Sequence, residues 1–75
     1  MSYVIATSRK WYEGMAPRLS QATGQQFHLL TNRAELTVPT LDALQPKYVF
    51  FPHWSYIIPK EIFARFQCVI FHMTD

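Results

Sequence analysis

Several protein classes are excluded by what the sequence lacks. Its single cysteine, Cys68, cannot form an internal disulfide, and no Cys-x-x-Cys pair is present for a metal site. A lone thiol inside an apolar run is typical of a reducing compartment, so we expect a cytoplasmic protein. No apolar run approaches the roughly 20 residues of a membrane span, and the N-terminus lacks the basic segment of a signal peptide. We therefore expect neither a membrane association nor a bound metal.

The chain also has little excess of positive over negative charge. The formal net charge is +2, and no run of Lys or Arg is longer than the pair Arg9–Lys10. A nucleic-acid-binding surface usually concentrates basic residues on one face or along one helix. Because the basic residues here are scattered along the chain, we do not expect a nucleic-acid partner.

Glycine is rare, and the chain is rich in apolar residues instead. It has 2 glycines, and the first apolar run is followed by residues 7–11 (TSRKW) rather than by a Gly-x-Gly-x-x-Gly loop. This disfavours dinucleotide binding in its usual mode, and the missing Gly-x-Ser-x-Gly motif disfavours a serine hydrolase. With 49% hydrophobic residues in 75, the chain is at most one domain. It carries more apolar surface than a free-standing chain of that length buries.

Short apolar runs alternate with helical segments along the chain. Runs rich in β-branched and aromatic residues predict four strands, over Tyr3–Thr7, Phe27–Thr31, Tyr48–Phe51 and Cys68–His72. Spacing and capping residues predict helices over Trp11–Thr23, Asn32–Glu35, Leu41–Gln45 and from Pro59 onward.

The helix boundaries follow from particular residues. In the first helix, Pro17 should cause a kink or delay the regular part, and Gly24 should end it. Thr40 should cap the third helix, which Pro46 closes. The predicted apolar stripe of the first helix is Trp11, Met15, Leu19 and Ala22, widened by Tyr12 and Ala16, and that of the last is Ile58, Ile62, Phe63 and Phe66.

The alternation of strands and helices predicts an α/β fold. Strands joined through helices form parallel βαβ units, and right-handed crossovers then give an open sheet. We predict a mainly parallel, Rossmann-like sheet of about four strands in the order 2-1-3-4. The last two strands are near-continuous apolar runs, which indicates helices on both faces of the sheet.

Two histidines come just after predicted strands. His53 and His72 lie at carboxyl ends, where open α/β sheets bind ligands and where an imidazole can act near neutral pH. Either histidine could instead be a structural residue at a strand end. His28 lies within a strand and Cys68 within an apolar run, so both are expected to serve packing. Trp54 and Tyr56 could wall a flat heterocycle or pack on the end of the sheet.

Residues 48–75 resemble the N-terminal half of the formyltransferase family. Ile57-Ile58-Pro59 matches the Ile/Leu-Pro with which a loop of that family leads into a short helix, and Cys68–His72 is similar to its Cys-Ile-Asn-x-His motif. The residues FFPHWS (50–55) and FHMTD (71–75) most resemble the branch that formylates amino groups of nucleotide-linked sugars. Over residues 1–46 the resemblance is architectural only.

The resemblance implies a reaction and a set of site residues. It implies formyl transfer from N10-formyltetrahydrofolate to the amine of a nucleotide-linked amino sugar, with methionyl-tRNA as the alternative acceptor. His72 would be the catalytic histidine. The segment that cradles the folate would comprise Pro52, His53, Trp54, Ser55, Tyr56, Ile57 and Ile58.

The sequence departs from the family pattern in two ways. The catalytic Asn of the family corresponds here to Ile70, which has no side-chain donor, and the family's catalytic Asp lies beyond residue 75. We therefore expect residues 1–75 to be one incomplete domain with a truncated formyltransferase fold, inactive on its own. The remaining alternative is a non-catalytic α/β interaction module that self-associates through the exposed edge of the fourth strand.

Overall fold

The computed structural model contains one parallel sheet with helices between its strands. It describes residues 1–8, 14–52, 54 and 56–71, with Phe71 described as backbone only. In chain order the elements are β1 (Ser2–Ala6), α1 (Met15–Thr23), β2 (Gln26–Leu30), a 3-10 helix (Arg33–Glu35), α2 (Val38–Leu44), β3 (Pro46–Pro52), α3 (Lys60–Arg65) and β4 (Cys68–Phe71). The strands pair in the order β2-β1-β3-β4, all in parallel. The predicted open α/β sheet and its strand order are confirmed. No helix among the described residues is long and apolar enough to cross a membrane.

One face of the sheet carries the main core. We use this name for the buried cluster Val4, Ala6, Leu30, Leu36, Leu41, Val49, Phe51 and Ile62. Alternate residues of β1 and β3 point to this face, where Leu41 of α2 and Ile62 of α3 cover them. The two helices lie on the same side because β2 to β3 and β3 to β4 cross the sheet in one direction, and crossovers are right-handed.

The opposite face carries an aromatic row, made of Tyr3, Phe27, Tyr48 and Phe50, all half-buried. The ring centroid of Tyr3 lies 4.9 Å from that of Phe27, 6.3 Å from Tyr48 and 6.1 Å from Phe50. The crossover from β1 to β2 runs in the other direction, so α1 lies on this face. Helices thus lie on both faces, as predicted, with α2 and α3 opposite α1.

The first helix is shorter than predicted. It begins at Met15, with Gly14 as N-cap, while Trp11 lies outside the described residues. Pro17 consequently falls in the first turn, where a helix needs no N–H from it, and it delays the helix rather than kinking it. Gly24 ends the helix in the left-handed conformation at φ 73°, as expected. The predicted apolar stripe is wrong at Ala22, which is exposed.

Helix α2, which corresponds to the third predicted helix, starts earlier than predicted. Its N-cap is Thr37 rather than Thr40, and the Thr37 Oγ1 accepts a hydrogen bond from the Thr40 N–H at 3.3 Å. Pro39 lies in the first turn of this helix, where its missing N–H is not needed. Gln45 ends the helix with φ 48°, and Pro46 is already the first residue of β3.

The third helix buries one side only. Ile62 is fully buried, and Ile58 and Phe66 pack against the main core. Phe63 is 48% exposed, so its predicted place on the buried stripe is wrong. Within the helix, residue 63 is turned about 100° from residue 62, so it points away from the main core.

Candidate functional site

The carboxyl ends of the parallel strands meet at one edge of the sheet. There β1 ends at Ala6, and the next residue, Thr7, is fully buried and donates its N–H to the Leu30 carbonyl at 3.0 Å. The chain leaves β1 towards β2 on one side, whereas β3 lies on the other side. Ligands of open α/β sheets bind at such a switch point, above the carboxyl ends. The segments that follow β2 and β3 therefore flank the candidate site.

The loop after β3 has a buried side and an exposed side. Pro52 is buried, and Trp54 and Ile58 are half-buried. Tyr56 is 44% exposed and Ile57 is 94% exposed. The predicted cofactor segment therefore offers both a wall that rests on the sheet and an apolar surface open to a ligand.

Trp54 is the centre of this wall. Its ring meets Phe51 edge-on at 5.9 Å between centroids, and Tyr56 at 5.5 Å with an interplanar angle of 76°. The Trp54 Nε1 is buried, and within the described residues it has no hydrogen-bond partner. A buried indole N–H without an acceptor is costly, and a ligand acceptor placed there would satisfy it. Aromatic rings beside an unpartnered donor suit a flat heterocycle that carries acceptors.

Arg33 also reaches this edge, and the sequence reasoning missed it. It is the first residue of the 3-10 helix after β2, and its Cζ lies 4.9 Å from the centroid of the Tyr56 ring. The signal that could have found it is its position, because a basic residue just past the carboxyl end of a strand next to β1 faces the switch point.

The remaining predicted site residues are placed in part. His72, His53 and Ser55 lie outside the described residues, so their roles stay predictions. His28 is half-buried within β2, away from the carboxyl edge, and Ile70 on β4 is 43% exposed. Among the residues described, no group of His, Cys, Asp and Glu could hold a metal ion.

Cys68 has the environment of a packing residue. Burial raises the pKa of its thiol, which disfavours the reactive thiolate near neutral pH. The Sγ donates to the Phe66 carbonyl at 3.6 Å, and the side chain packs against the main core. Both observations agree with the small buried hydrophobe expected from the sequence.

Comparisons with known proteins give one informative result. No protein-family model matches the chain, and a search of curated proteins finds no match. A solved structure, methionyl-tRNA formyltransferase from Clostridium thermocellum, matches all of this chain with 43% sequence identity and a TM-score of 0.86. The chain spans 34% of the length of that protein. By sequence and by fold, the chain matches the N-terminal part of a formyltransferase.

Proposed function

We propose that this chain supplies the formyl-donor side of a formyltransferase site. The donor is N10-formyltetrahydrofolate and the acceptor is a primary amine. The similarity to methionyl-tRNA formyltransferase supports a formyl-transfer chemistry. The single observation that carries the donor site is the buried, unpartnered Trp54 Nε1 beside exposed apolar side chains at the carboxyl end of β3. A lone thiol, Cys68, supports a cytoplasmic setting.

The loop residues divide the work of holding the pterin. Trp54 contributes its aromatic ring and offers the indole N–H to a ring acceptor. Tyr56 and Ile57 supply the exposed surface that a flat ring covers. Pro52 and Ile58 anchor the two ends of the loop, and His53 and Ser55 belong to the same proposed segment.

The reaction requires a group that handles charge and a proton beside the formyl carbon. The acceptor amine forms a bond to that carbon and loses a proton, an oxyanion develops, and the bond from carbon to N10 of the folate then breaks as N10 gains a proton. His72, which follows β4, is proposed to stabilise the oxyanion or to take the proton from the amine. The side chain of Ile70 has no donor, so any further oxyanion donor comes from another residue.

For the acceptor, we propose the amine of a nucleotide-linked amino sugar. The residues FFPHWS (50–55) and FHMTD (71–75) support this choice, since they most resemble the sugar-formylating branch. The second candidate is methionyl-tRNA, which the name of the similar solved structure favours. The scattered charge of the chain argues against tRNA, because tRNA binding draws on clustered Lys and Arg.

The donor site is tested by binding of 5-formyltetrahydrofolate, a stable analogue of the donor. The chain has 2 tryptophans, so a Trp11→Phe variant leaves Trp54 as its only indole reporter. We expect the ligand to quench the fluorescence of that variant in a saturable way. In calorimetry, Trp54→Phe keeps a ring but removes the N–H, and it should bind about tenfold more weakly than Trp11→Phe. Equal affinities of the two variants would remove the proposed role of the indole N–H.

The acceptor is tested by comparing how the two candidates bind. With 5-formyltetrahydrofolate present, a nucleoside-diphosphate-linked amino sugar and methionyl-tRNA are titrated separately into the chain. Binding of the sugar nucleotide, lost when its amine is replaced by a hydroxyl, supports the first candidate. If methionyl-tRNA binds and the sugar nucleotide does not, and if that binding weakens steeply with added salt, the second candidate is supported.

A non-catalytic role in association is the alternative that the edge of the sheet favours. Within the described residues β4 pairs with β3 only, and its Ile70 is 43% exposed. An apolar edge strand invites a second strand, so the proposed partner is another copy of this chain. Sedimentation over a concentration series should show dimers that Ile70→Lys abolishes, while the control Ile57→Lys, which is not on the sheet, leaves them. A monomer at every concentration contradicts this alternative.

A further inference from the structure

One charged side chain bridges two strand ends at the carboxyl edge of the sheet. Arg33 follows β2 and Tyr56 follows β3, and β1 lies between these two strands. The Arg33 Cζ nevertheless lies 4.9 Å from the Tyr56 ring centroid. The guanidinium therefore lies against the loop of the candidate site, at the carboxyl edge of the sheet.

The backbone beneath Arg33 is held in place. The Asn32 Oδ1 accepts a hydrogen bond from the Ala34 N–H at 2.9 Å, and the Leu36 N–H donates to the Arg33 carbonyl at 3.1 Å. Leu36, which ends this short helix, is part of the main core. Arg33 thus extends from an anchored turn, and the cation–π contact with the exposed Tyr56 ring adds about 0.5–1 kcal/mol of restraint.

The charge of Arg33 is not matched by a carboxylate among the described residues. The ion pair that this part of the chain shows joins Arg65 to Asp42, at 3.1 Å between Nη2 and Oδ2. The guanidinium is planar, and its N–H donors lie in the plane of the group. Those donors form a fork whose geometry suits carboxylate and phosphate oxygens.

We propose that Arg33 is a further ligand-binding residue of this site, and that its guanidinium recognises an anionic group on the ligand held by the Trp54–Tyr56 loop. The inference rests on the proposed function and adds an anionic group to the flat ring that the site would recognise. Two sources share this chemistry: the carboxylates of the glutamate tail of the folate donor, and the diphosphate of a nucleotide-linked acceptor.

The test compares Arg33→Gln with Arg18→Gln in calorimetric titrations of the whole chain. Arg18 is an exposed arginine of α1, so it is a control for the loss of one positive charge. The ligands are 5-formyltetrahydrofolate, 6-hydroxymethylpterin, which has the ring without the glutamate, and uridine diphosphate. Arg33→Lys keeps the charge but removes the fork, and it should recover part of the affinity.

Each outcome has a defined meaning. Weakening of 5-formyltetrahydrofolate by about tenfold or more in Arg33→Gln, with 6-hydroxymethylpterin unchanged, assigns Arg33 to the folate carboxylates. Weakening of uridine diphosphate assigns it to the acceptor. If every ligand binds Arg33→Gln as it binds Arg18→Gln, or if 6-hydroxymethylpterin weakens equally, the inference is wrong. If the unaltered chain binds no folate, the proposed donor site itself fails.

Discussion

The two faces of the sheet are built from different materials. The main core is mostly aliphatic, fully buried, and covered by the two helices α2 and α3. The aromatic row on the other face is only half-buried. On the first face nearly every apolar atom is removed from water, whereas on the second the rings cover one another and part of their surface stays exposed.

This difference shows how a small chain divides stability between burial and ring contacts. Removing apolar area from water stabilises in proportion to the area, so the main core should dominate the free energy of unfolding. Stacked rings add about 0.5–1.5 kcal/mol per pair beyond their burial, and they do so without a full cover of helices. Substitutions on the two faces should therefore differ in size, and the helices of the main core offer matched controls.

The largest effect is expected at the main core. Ile62→Ala should lower the free energy of unfolding by about 2–5 kcal/mol, because it leaves a cavity at a fully buried position. The neighbouring Phe63→Ala should cost far less, since Phe63 is exposed. Urea unfolding of both variants measures the contrast. Where Ile62→Ala does not fold, Ile62→Val should still cost about 0.5–1.5 kcal/mol. Equal losses at the two positions would mean that α3 packs differently.

The aromatic row should respond less. Tyr3 touches three other rings, so Tyr3→Ala should cost about 1–2.5 kcal/mol in urea unfolding, less than the substitution at Ile62. Tyr3→Phe retains the ring and should stay within about 0.5 kcal/mol of the unaltered chain. A cost for Tyr3→Ala as large as for Ile62→Ala would make the aromatic row a second main core.

A smaller effect of opposite sign is expected at the end of α2. Gln45 has φ 48° and ψ 57°, a left-handed conformation that glycine adopts more easily. Gln45→Gly should raise the melting temperature, with a gain of about 0.5–1 kcal/mol. Ala43→Gly, inside the same helix, should lower the melting temperature, with a loss of about 1 kcal/mol in the free energy of unfolding. If both variants melt at a lower temperature than the unaltered chain, the left-handed conformation of Gln45 does not cost stability.

The smallest effect is expected at the exposed ion pair between α2 and α3. The Arg65 Nη2 lies 3.3 Å from the Asp42 Oδ1 and 3.1 Å from its Oδ2. Asp42→Asn should cost about 0.2–1 kcal/mol at low salt and almost nothing in 1 M salt, because exposed pairs are screened. The control Glu35→Gln removes an exposed carboxylate with no ion pair in the described part of the chain. If the free energy lost in Asp42→Asn is the same at low and high salt, the attraction between the two charges does not account for it.

Sequence patterns predicted the elements better than their ends. The α/β class, the four strands and their order are confirmed, because alternation and right-handed crossovers limit the arrangements that a short chain can take. The start of α2 was misplaced because Thr37 and Thr40 are both good caps, and the structure joins them in one cap. Phe63 was misplaced because a six-residue helix has room for one buried stripe only.

The candidate site was predicted along one segment and missed across another. The loop after β3 was found because its residues are contiguous and rich in aromatic side chains. Arg33 was missed because its partner Tyr56 is distant in sequence, and only the pairing of β2 and β3 with β1 brings their ends together. Similarly, no pattern reports that the Trp54 Nε1 is buried without an acceptor in the described residues.

The sequence by itself determined the local elements, the parallel α/β class and the resemblance of residues 48–75 to the formyltransferase family. These depend on residues that are neighbours along the chain, whose spacing and chemistry are visible in one dimension. Tertiary structure alone decided which side chain of each helix is buried, how the rings of the aromatic row meet, and that Arg33 reaches the loop of Trp54. The physical reason is strand pairing, because register and crossover direction set which distant residues share a face or an edge.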